Sequence, residues 1–201
     1  MGDRPPFFWE NDPVALEHIR SRLALIPARD EDAEGAYEAG VALLIAPGPQ
    51  ILLIRRAEHP ADPWSGQIAF PGGGREACDS DLLATAIRET AEETGVTLST
   101  GSLLGRLDDF RPRRPSLPDV LIRPFVFGLD AAVQTSFSNE VQYCLWTPLR
   151  RLTGSRGERE IEIRGSLLKT PSCLAGDGEV VWGITYRILS ELFEKLGPVF
   201  P

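Results

Sequence analysis

Apolar residues in this chain fall mostly into short, unbroken runs set between turn-forming residues, and helical spacing appears in only three places. The first is opened by Asp12-Pro13, an N-cap followed by the residue favoured at the first helical position. Leu16, Ile19, Leu23 and Leu25 give that helix its apolar side, and Pro27 sets its limit. Residues 1–12 read as an irregular arm, and 28–39, acidic and rich in Ala and Gly, as a loop. Val41–Ala46 and Ile51–Ile54 flank a Gly48-Pro49 turn and predict a β-hairpin. A Pro-broken loop spans 57–66, and Gln67–Phe70 predicts a short strand running into Pro71-Gly72-Gly73-Gly74. Residues 81–94 form the strongest helical pattern, with Leu83, Ala84, Ile87 and Ala91 as its apolar stripe. Asp79 or Ser80 is placed to cap its start and Gly95 to end it. Strands follow near 103–109, 120–127, 141–146 and 160–164, then a last helix near 184–196. Helices set among strand groups predict an α/β class (α+β with a mixed sheet).

The bulk properties narrow the partners. With 201 residues the chain suits a single domain with some elaboration. A net charge of −8 argues against a nucleic-acid polymer, whose binding rests on Lys and Arg. A small anionic substrate remains compatible if divalent cations bridge it to carboxylates. Cys78, Cys144 and Cys173 are far apart and odd in number, so neither a disulfide framework nor a zinc site is expected. His18 and His59 are too few for a multi-histidine metal site. There is no apolar run of signal-peptide or membrane-span length, so the expectation is a cytoplasmic protein with no membrane partner.

Chemistry concentrates in 72–96, GGGREACDSDLLATAIRETAEETGV. On a helix, Glu89, Glu92 and Glu93 stand at i, i+3 and i+4 and share one face within a turn. Three like charges so close repel unless a cation neutralises them. Mg²⁺ fits such a cluster, because it takes oxygen ligands from a few carboxylates, water and substrate phosphates. Gly72, Gly73 and Gly74 let backbone approach a ligand closely, and a carbonyl of this loop is a candidate further ligand.

These residues resemble the Nudix box: a Gly, five residues, a Glu, seven residues, then Arg-Glu-apolar-x-Glu-Glu-x-Gly-apolar. Aligned on Arg88, the chain matches at Gly74, Arg88, Glu89, Glu92, Glu93, Gly95 and Val96. It departs at Ser80, where the box has its first Glu, and at Thr90, an apolar position. Asp79, Asp81 or Glu76 is the expected substitute for that Glu. The resemblance covers about an eighth of the chain. It implies a mixed sheet between helices (an α/β/α sandwich) and Mg²⁺-dependent hydrolysis, with Mn²⁺ as an alternative, of a nucleoside diphosphate linked to another moiety. It implies metal ligation by Glu89, Glu93 and a carbonyl near Gly73, with Glu92 assisting and Arg88 orienting the carboxylates. The expected division is an arm and helix over 1–35 and a Nudix hydrolase domain over 36–201. Family members often dimerise, so a homodimer is a further expectation.

The flanks look like the coenzyme A pyrophosphatase branch, through Leu52-Leu53-Ile54-Arg55-Arg56, Gly66-Gln67-Ile68-Ala69-Phe70-Pro71-Gly72-Gly73 and Val181-Trp182-Gly183-Ile184-Thr185. Ile54 stands where that branch has Thr, and residues 57–65 hold no Arg. Coenzyme A or a derivative is the leading substrate expectation, with Arg56, Gly72 and Gly74 in contact. Many Nudix enzymes take a further Glu from a later loop as general base, and Glu140 is the candidate. Arg111, Arg113 and Arg114, in a Pro-rich loop, are candidates for holding phosphate. Two alternatives share the resemblance: a catalytically weak nucleotide sensor and a triphosphate-sanitising pyrophosphatase.

Overall fold

The described residues of the computed structural model are 14–60, 62–113, 117–163 and 165–197. The expected arm over 1–12, the Asp12-Pro13 cap and Arg114 lie outside them. The elements in chain order are α1 (Val14–Leu25), β1 (Tyr37–Ala46), β2 (Gln50–Arg56), β3 (Ile68–Ala69), β4 (Gly72–Gly74), α2 (Leu82–Thr94), β5 (Leu103–Arg106), β6 (Val120–Gly128), β7 (Val141–Pro148), α3 (Leu149–Gly154), β8 (Gly157–Ile163), β9 (Ser166–Leu174), β10 (Val180–Trp182) and α4 (Gly183–Leu196).

The main sheet is mixed. β1 runs parallel to β6 from Tyr37↔Val120 to Ile45↔Gly128, and β5 lies antiparallel beyond β6. The other edge of β1 is shared between two partners. β4 pairs Gly72–Gly74 with Ala39–Val41, while β2 meets β1 only at Ile45↔Ile51 and Ala46↔Gln50. The expected hairpin therefore exists only in the two pairs next to its turn. β2 then diverges to pair along its length with β7 and, for two residues, with β3. A second, antiparallel sheet has the order β10-β9-β8.

Both faces of the main sheet are covered, which explains the unbroken apolar runs. Leu43, Ile45, Ile51, Leu53, Ile122 and Val126 face a core shared with α1, α4 and the second sheet. Their neighbours Ala42, Leu44, Leu52, Leu121, Phe125 and Phe127 face a second core under α2. Among the described residues no helix is long and apolar enough to cross a membrane.

Several expectations change. β1 begins at Tyr37 inside the expected loop, because Tyr37 N–H donates to Asp119 O at 2.9 Å and starts the parallel pairing. The small residues there serve packing: a side chain at Gly40 would collide with the Leu82 carbonyl of α2. Asp81, not Asp79 or Ser80, caps α2, accepting the Ala84 N–H at 2.8 Å. The buried face of α2 is Leu82, Thr85, Ala86, Thr90, Glu93 and Thr94, rotated from the expected stripe. Leu83 and Ile87 lie at its border. The threonines bury because their hydroxyls bond back into the helix, Thr90 to Ala86 O at 2.7 Å and Thr94 to Thr90 O at 2.6 Å. Gly95 ends the helix at φ 69°, as expected.

A buried cation ties α4 to the rest. Lys195 donates to Asp108 at 2.8 Å with Glu191 at 3.6 Å, and Glu191 accepts the Asp108 N–H at 2.7 Å. Lys195→Met leaves two facing carboxylates, of which Asp108 keeps only an exposed partner, Arg29. The expected cost is about 3 kcal/mol by urea unfolding; a loss below about 1 kcal/mol would show that the contact is marginal.

Candidate active site

The site forms where β4 passes the second half of α2. Gly72 N–H donates to Glu93 Oε2 at 2.8 Å, drawing that carboxylate under the strand with only 3% of the residue exposed. Burial, partly offset by the Gly72 N–H and by Arg56, pushes the Glu93 carboxyl up to about 7. Its nearest cation is Arg56 at 3.8 Å. Glu89, one turn earlier, lies against Gly73. A methyl at Gly73 would stand 2.5 Å from the Glu89 carboxyl carbon, so only glycine lets strand and carboxylate approach this closely. Burial raises the Glu89 carboxyl as well, against the lowering effect of Arg88.

Glu92 does not join them fully. About 100° of rotation per residue carries it away from Glu93 and out to solvent, where Arg88 holds it at 3.1 Å. The expected three-carboxylate face is therefore two inward carboxylates and one outward.

Arg88 is the hub. It grips Asp79 through Nε at 3.0 Å and Nη2 at 2.9 Å, Glu89 through Nη1 at 2.9 Å, and the Gly74 carbonyl through Nη2 at 3.1 Å. Asp79 also accepts from Glu76 N–H at 2.9 Å and Thr85 Oγ1 at 3.0 Å. The Arg88 guanidinium, chiefly, holds the Asp79 carboxyl well below the usual range despite burial. Asp79 thus takes the place that Ser80 vacates; Glu76 stays 3.8 Å from Arg88 and Asp81 is spent on capping.

Glu140 stands just before β7, its carbonyl accepting Ala57 N–H at 2.8 Å, and its charge contributes to raising both Glu89 and Glu93. Arg56 lies between Asp62 at 2.8 Å and Glu93. Arg111 and Arg113 both meet acidic partners within the fold. Arg111 spends its guanidinium on Asp119 at 2.7 and 2.5 Å and on the carbonyls of Asp32 and Glu34. That makes it a clamp between loops, with four of its five N–H donors engaged. Arg113 reaches Glu31 at 3.3 Å.

Where β2 and the 63–67 loop meet the second sheet lies a cleft of about 430 Å³, walled among others by Arg55, Gly66, Gln67, Glu160 and Trp182, with none of the carboxylates above in its lining. Sequence reasoning misses the network behind it, in which Glu179 accepts from Arg55 at 3.2 Å and from Tyr143. Those residues are 36 or more apart, and no local pattern links them. The cysteines are free, Cys78 exposed, Cys144 half-buried and Cys173 buried. Among the described residues no three His, Cys, Asp or Glu side chains form a preassembled metal cluster.

The family model described as NUDIX domain matches residues 36–165. The chain is similar to NudL, an uncharacterized Nudix hydrolase of Yersinia pestis, at 28% identity over 159 residues, covering 78% of this chain and 77% of that protein. The Yersinia pseudotuberculosis NudL matches to the same extent. The crystal structure of a MutT/nudix family protein from Enterococcus faecalis superposes with a TM-score of 0.61 at 19% identity. It covers 83% of this chain, which spans 64% of that longer one, and the likeness shows a shared fold.

Proposed function

The chain belongs to the Nudix family, and on that footing we propose that it is a divalent-metal-dependent hydrolase cleaving a diphosphate linkage in a nucleoside diphosphate joined to another moiety. One observation carries the reading: Glu93 is a buried carboxylate with a backbone N–H at 2.8 Å and its nearest cation at 3.8 Å. Such a group is costly to ionise unless a cation joins it. The donor set fits Mg²⁺ or Mn²⁺, which need only one or two carboxylates when substrate oxygens and water complete the shell. Glu89, Glu93 and a carbonyl near Gly73 would hold the ion. When bound it supplies charge neutralisation on phosphate oxygens and a more acidic water.

The chain's own groups do the rest. Gly72 N–H holds Glu93 in place, and Arg88 fixes Glu89 while tying helix to glycine strand. Glu92, through its bond to Arg88, supports that arrangement. Arg56 stands at the edge as a contact for substrate phosphate, together with the backbone of Gly72 and Gly74. Glu140 accepts the proton of the attacking water. Glu140→Gln is expected to lower kcat about 10²-fold and flatten the acid limb of the pH–rate profile. An unchanged profile would remove Glu140 from the chemistry.

Coenzyme A or a derivative is the substrate we favour. Supporting it, Arg55, Gly66, Gln67 and Trp182, from the three flanking segments that look like the coenzyme A branch, line one cleft. The test is phosphate-product release with Mg²⁺ or Mn²⁺ from coenzyme A, acetyl-coenzyme A, ADP-ribose, NADH, diadenosine polyphosphates and nucleoside triphosphates. Silence of folded protein across this panel would reject the hydrolase reading.

Metal and proton compete at Glu93. Its folded carboxyl, near 7, lies above its unfolded value, so the metal-free fold binds more protons than the unfolded chain. Stability without metal should fall as pH rises from about 4.5 to about 7. Added Mg²⁺ should raise Tm more at pH 8 than at pH 5.5. Equal shifts at both values would separate metal binding from this carboxylate.

A further inference from the structure

Arg56 stands between two carboxylates and is bonded to the one further from the chemistry. Its Nε and Nη2 both donate to Asp62 Oδ2, at 3.0 and 2.8 Å. Its Nη1 stops 3.8 Å from Glu93 Oε1, outside the roughly 2.7–3.2 Å of an N–H···O bond. Glu93 uses its two oxygens differently. Oε2 accepts the Gly72 N–H at 2.8 Å, so Oε1 is the atom left for a cation. A guanidinium slightly closer would bond Oε1 itself and stand where a metal ion has to bind.

Asp62, which holds the guanidinium back, is itself anchored. Its Oδ1 accepts the Trp64 N–H at 2.9 Å. Its own N–H donates to His59 O at 3.0 Å, and its carbonyl accepts the Ser65 N–H at 3.1 Å. Trp64 packs against the larger core. The base of the loop is closed by Arg56 N–H, which donates to Gln67 O at 3.0 Å. The Arg56 and Asp62 side chains are 26% and 17% exposed, so solvent screens their pairing only in part. Two N–H groups on one edge of a planar guanidinium, gripped by a fixed carboxylate, set the direction of the third nitrogen.

We propose that Asp62 is a positioning residue that holds Arg56 short of Glu93, keeping Glu93 Oε1 open to the metal ion and Arg56 Nη1 open to substrate phosphate. This rests on the carboxylate centre being the metal site. Released from Asp62, Arg56 has Glu93 as its next carboxylate. Their contact would form where little water competes, so the metal would have to break it before binding. Asp62 thus acts on metal affinity through Arg56, without touching the ion.

The experiment is calorimetric titration of the whole chain with Mn²⁺ at pH 8, without substrate. Asp62→Asn keeps an oxygen for the Trp64 N–H and loses the grip on Arg56. It should bind Mn²⁺ about 10- to 100-fold more weakly, the worth of one charge-assisted hydrogen bond at Oε1. Asp62→Ser, whose hydroxyl also accepts in such a turn, should do the same and serves if Asp62→Asn fails to fold. Arg56→Gln alone should bind at least as tightly as the parent. Arg56→Gln in the Asp62→Asn background should return binding to the parent's value. A double variant that stays weak would mean that the loop was disturbed, and overturns the positioning role. So would a loss that vanishes in about 1 M salt, where a Debye length of about 3 Å screens away the bare field of the missing charge. Unchanged Mn²⁺ binding by Asp62→Asn, with a parent that binds the ion, overturns this inference alone. A parent that binds no Mn²⁺ overturns the metal reading of the centre with it.

Discussion

Glu93→Gln protein is expected to fold normally and to turn substrate over about 10²–10³-fold more slowly. Gln keeps the shape and an oxygen to accept the Gly72 N–H, so the bond at 2.8 Å survives. What it lacks is charge, in a position where burial makes charge expensive. The substitution should therefore carry a second mark. At pH 8 without metal, the parent bears the cost of an ionised buried carboxylate and the variant does not. Glu93→Gln should melt higher than the parent at pH 8 and alike at pH 5, where both side chains are neutral. It should also lose most of the Tm rise that Mg²⁺ gives the parent. Loss of activity with gain of metal-free stability distinguishes a cation ligand from a structural residue, whose replacement lowers both. Near-normal turnover in the folded variant would sink the ligand assignment.

The centre of this site is legible in the sequence because it is built locally. Gly72, Gly73, Glu89 and Glu93 lie within 21 positions, and helix geometry plus a glycine strand bring them together with little help from the rest of the chain. Distances across the fold are not legible in that way. Arg111 in a Pro-rich loop reads as a free cation until Asp119 and the carbonyls of Asp32 and Glu34 claim its donors. Glu92 reads as an equal of Glu93 because spacing fixes the face only to within a fraction of a turn; the approach of β4 decides which carboxylate is buried. The pattern misplaces the α2 stripe because threonines count in it as polar, although each can satisfy its hydroxyl within the helix and bury its methyl. Strands show a related split. β2 and β6 are plain from apolar runs, since both their faces are covered. β9 escapes such a reading because its first residues are exposed and its polar Ser172 is buried against Arg159. The expected hairpin partner of β1 is wrong in extent because adjacency in sequence outweighs a parallel partner about eighty residues away in any local reading, while the register Tyr37↔Val120 needs the whole fold.

The largest stability effect should follow from Arg88→Ala. Arg88 is the cation that neutralises Asp79, whose side chain is only 4% exposed, and it links α2 to the Gly74 carbonyl. Removing it strands a buried carboxylate that still accepts from Glu76 N–H and Thr85 Oγ1. Losing one partner of a buried pair costs about 3–5 kcal/mol, so unfolding in urea at pH 7 should begin far earlier. The pH dependence gives the sign. In the parent, the Asp79 carboxyl sits below its unfolded value, so its stabilisation is complete above about 4 and is lost as pH falls through the folded value. In Arg88→Ala that depression is gone and desolvation dominates, so acidification neutralises the stranded group and relieves the variant. The gap between parent and variant should therefore narrow as pH is lowered toward 4. Asp79→Asn in the Arg88→Ala background should recover part of the loss, because a neutral amide tolerates the buried position better than an unpaired charge. A gap under about 1 kcal/mol at pH 7, or one that widens on acidification, would show that Asp79 does not stand in for the carboxylate missing at Ser80.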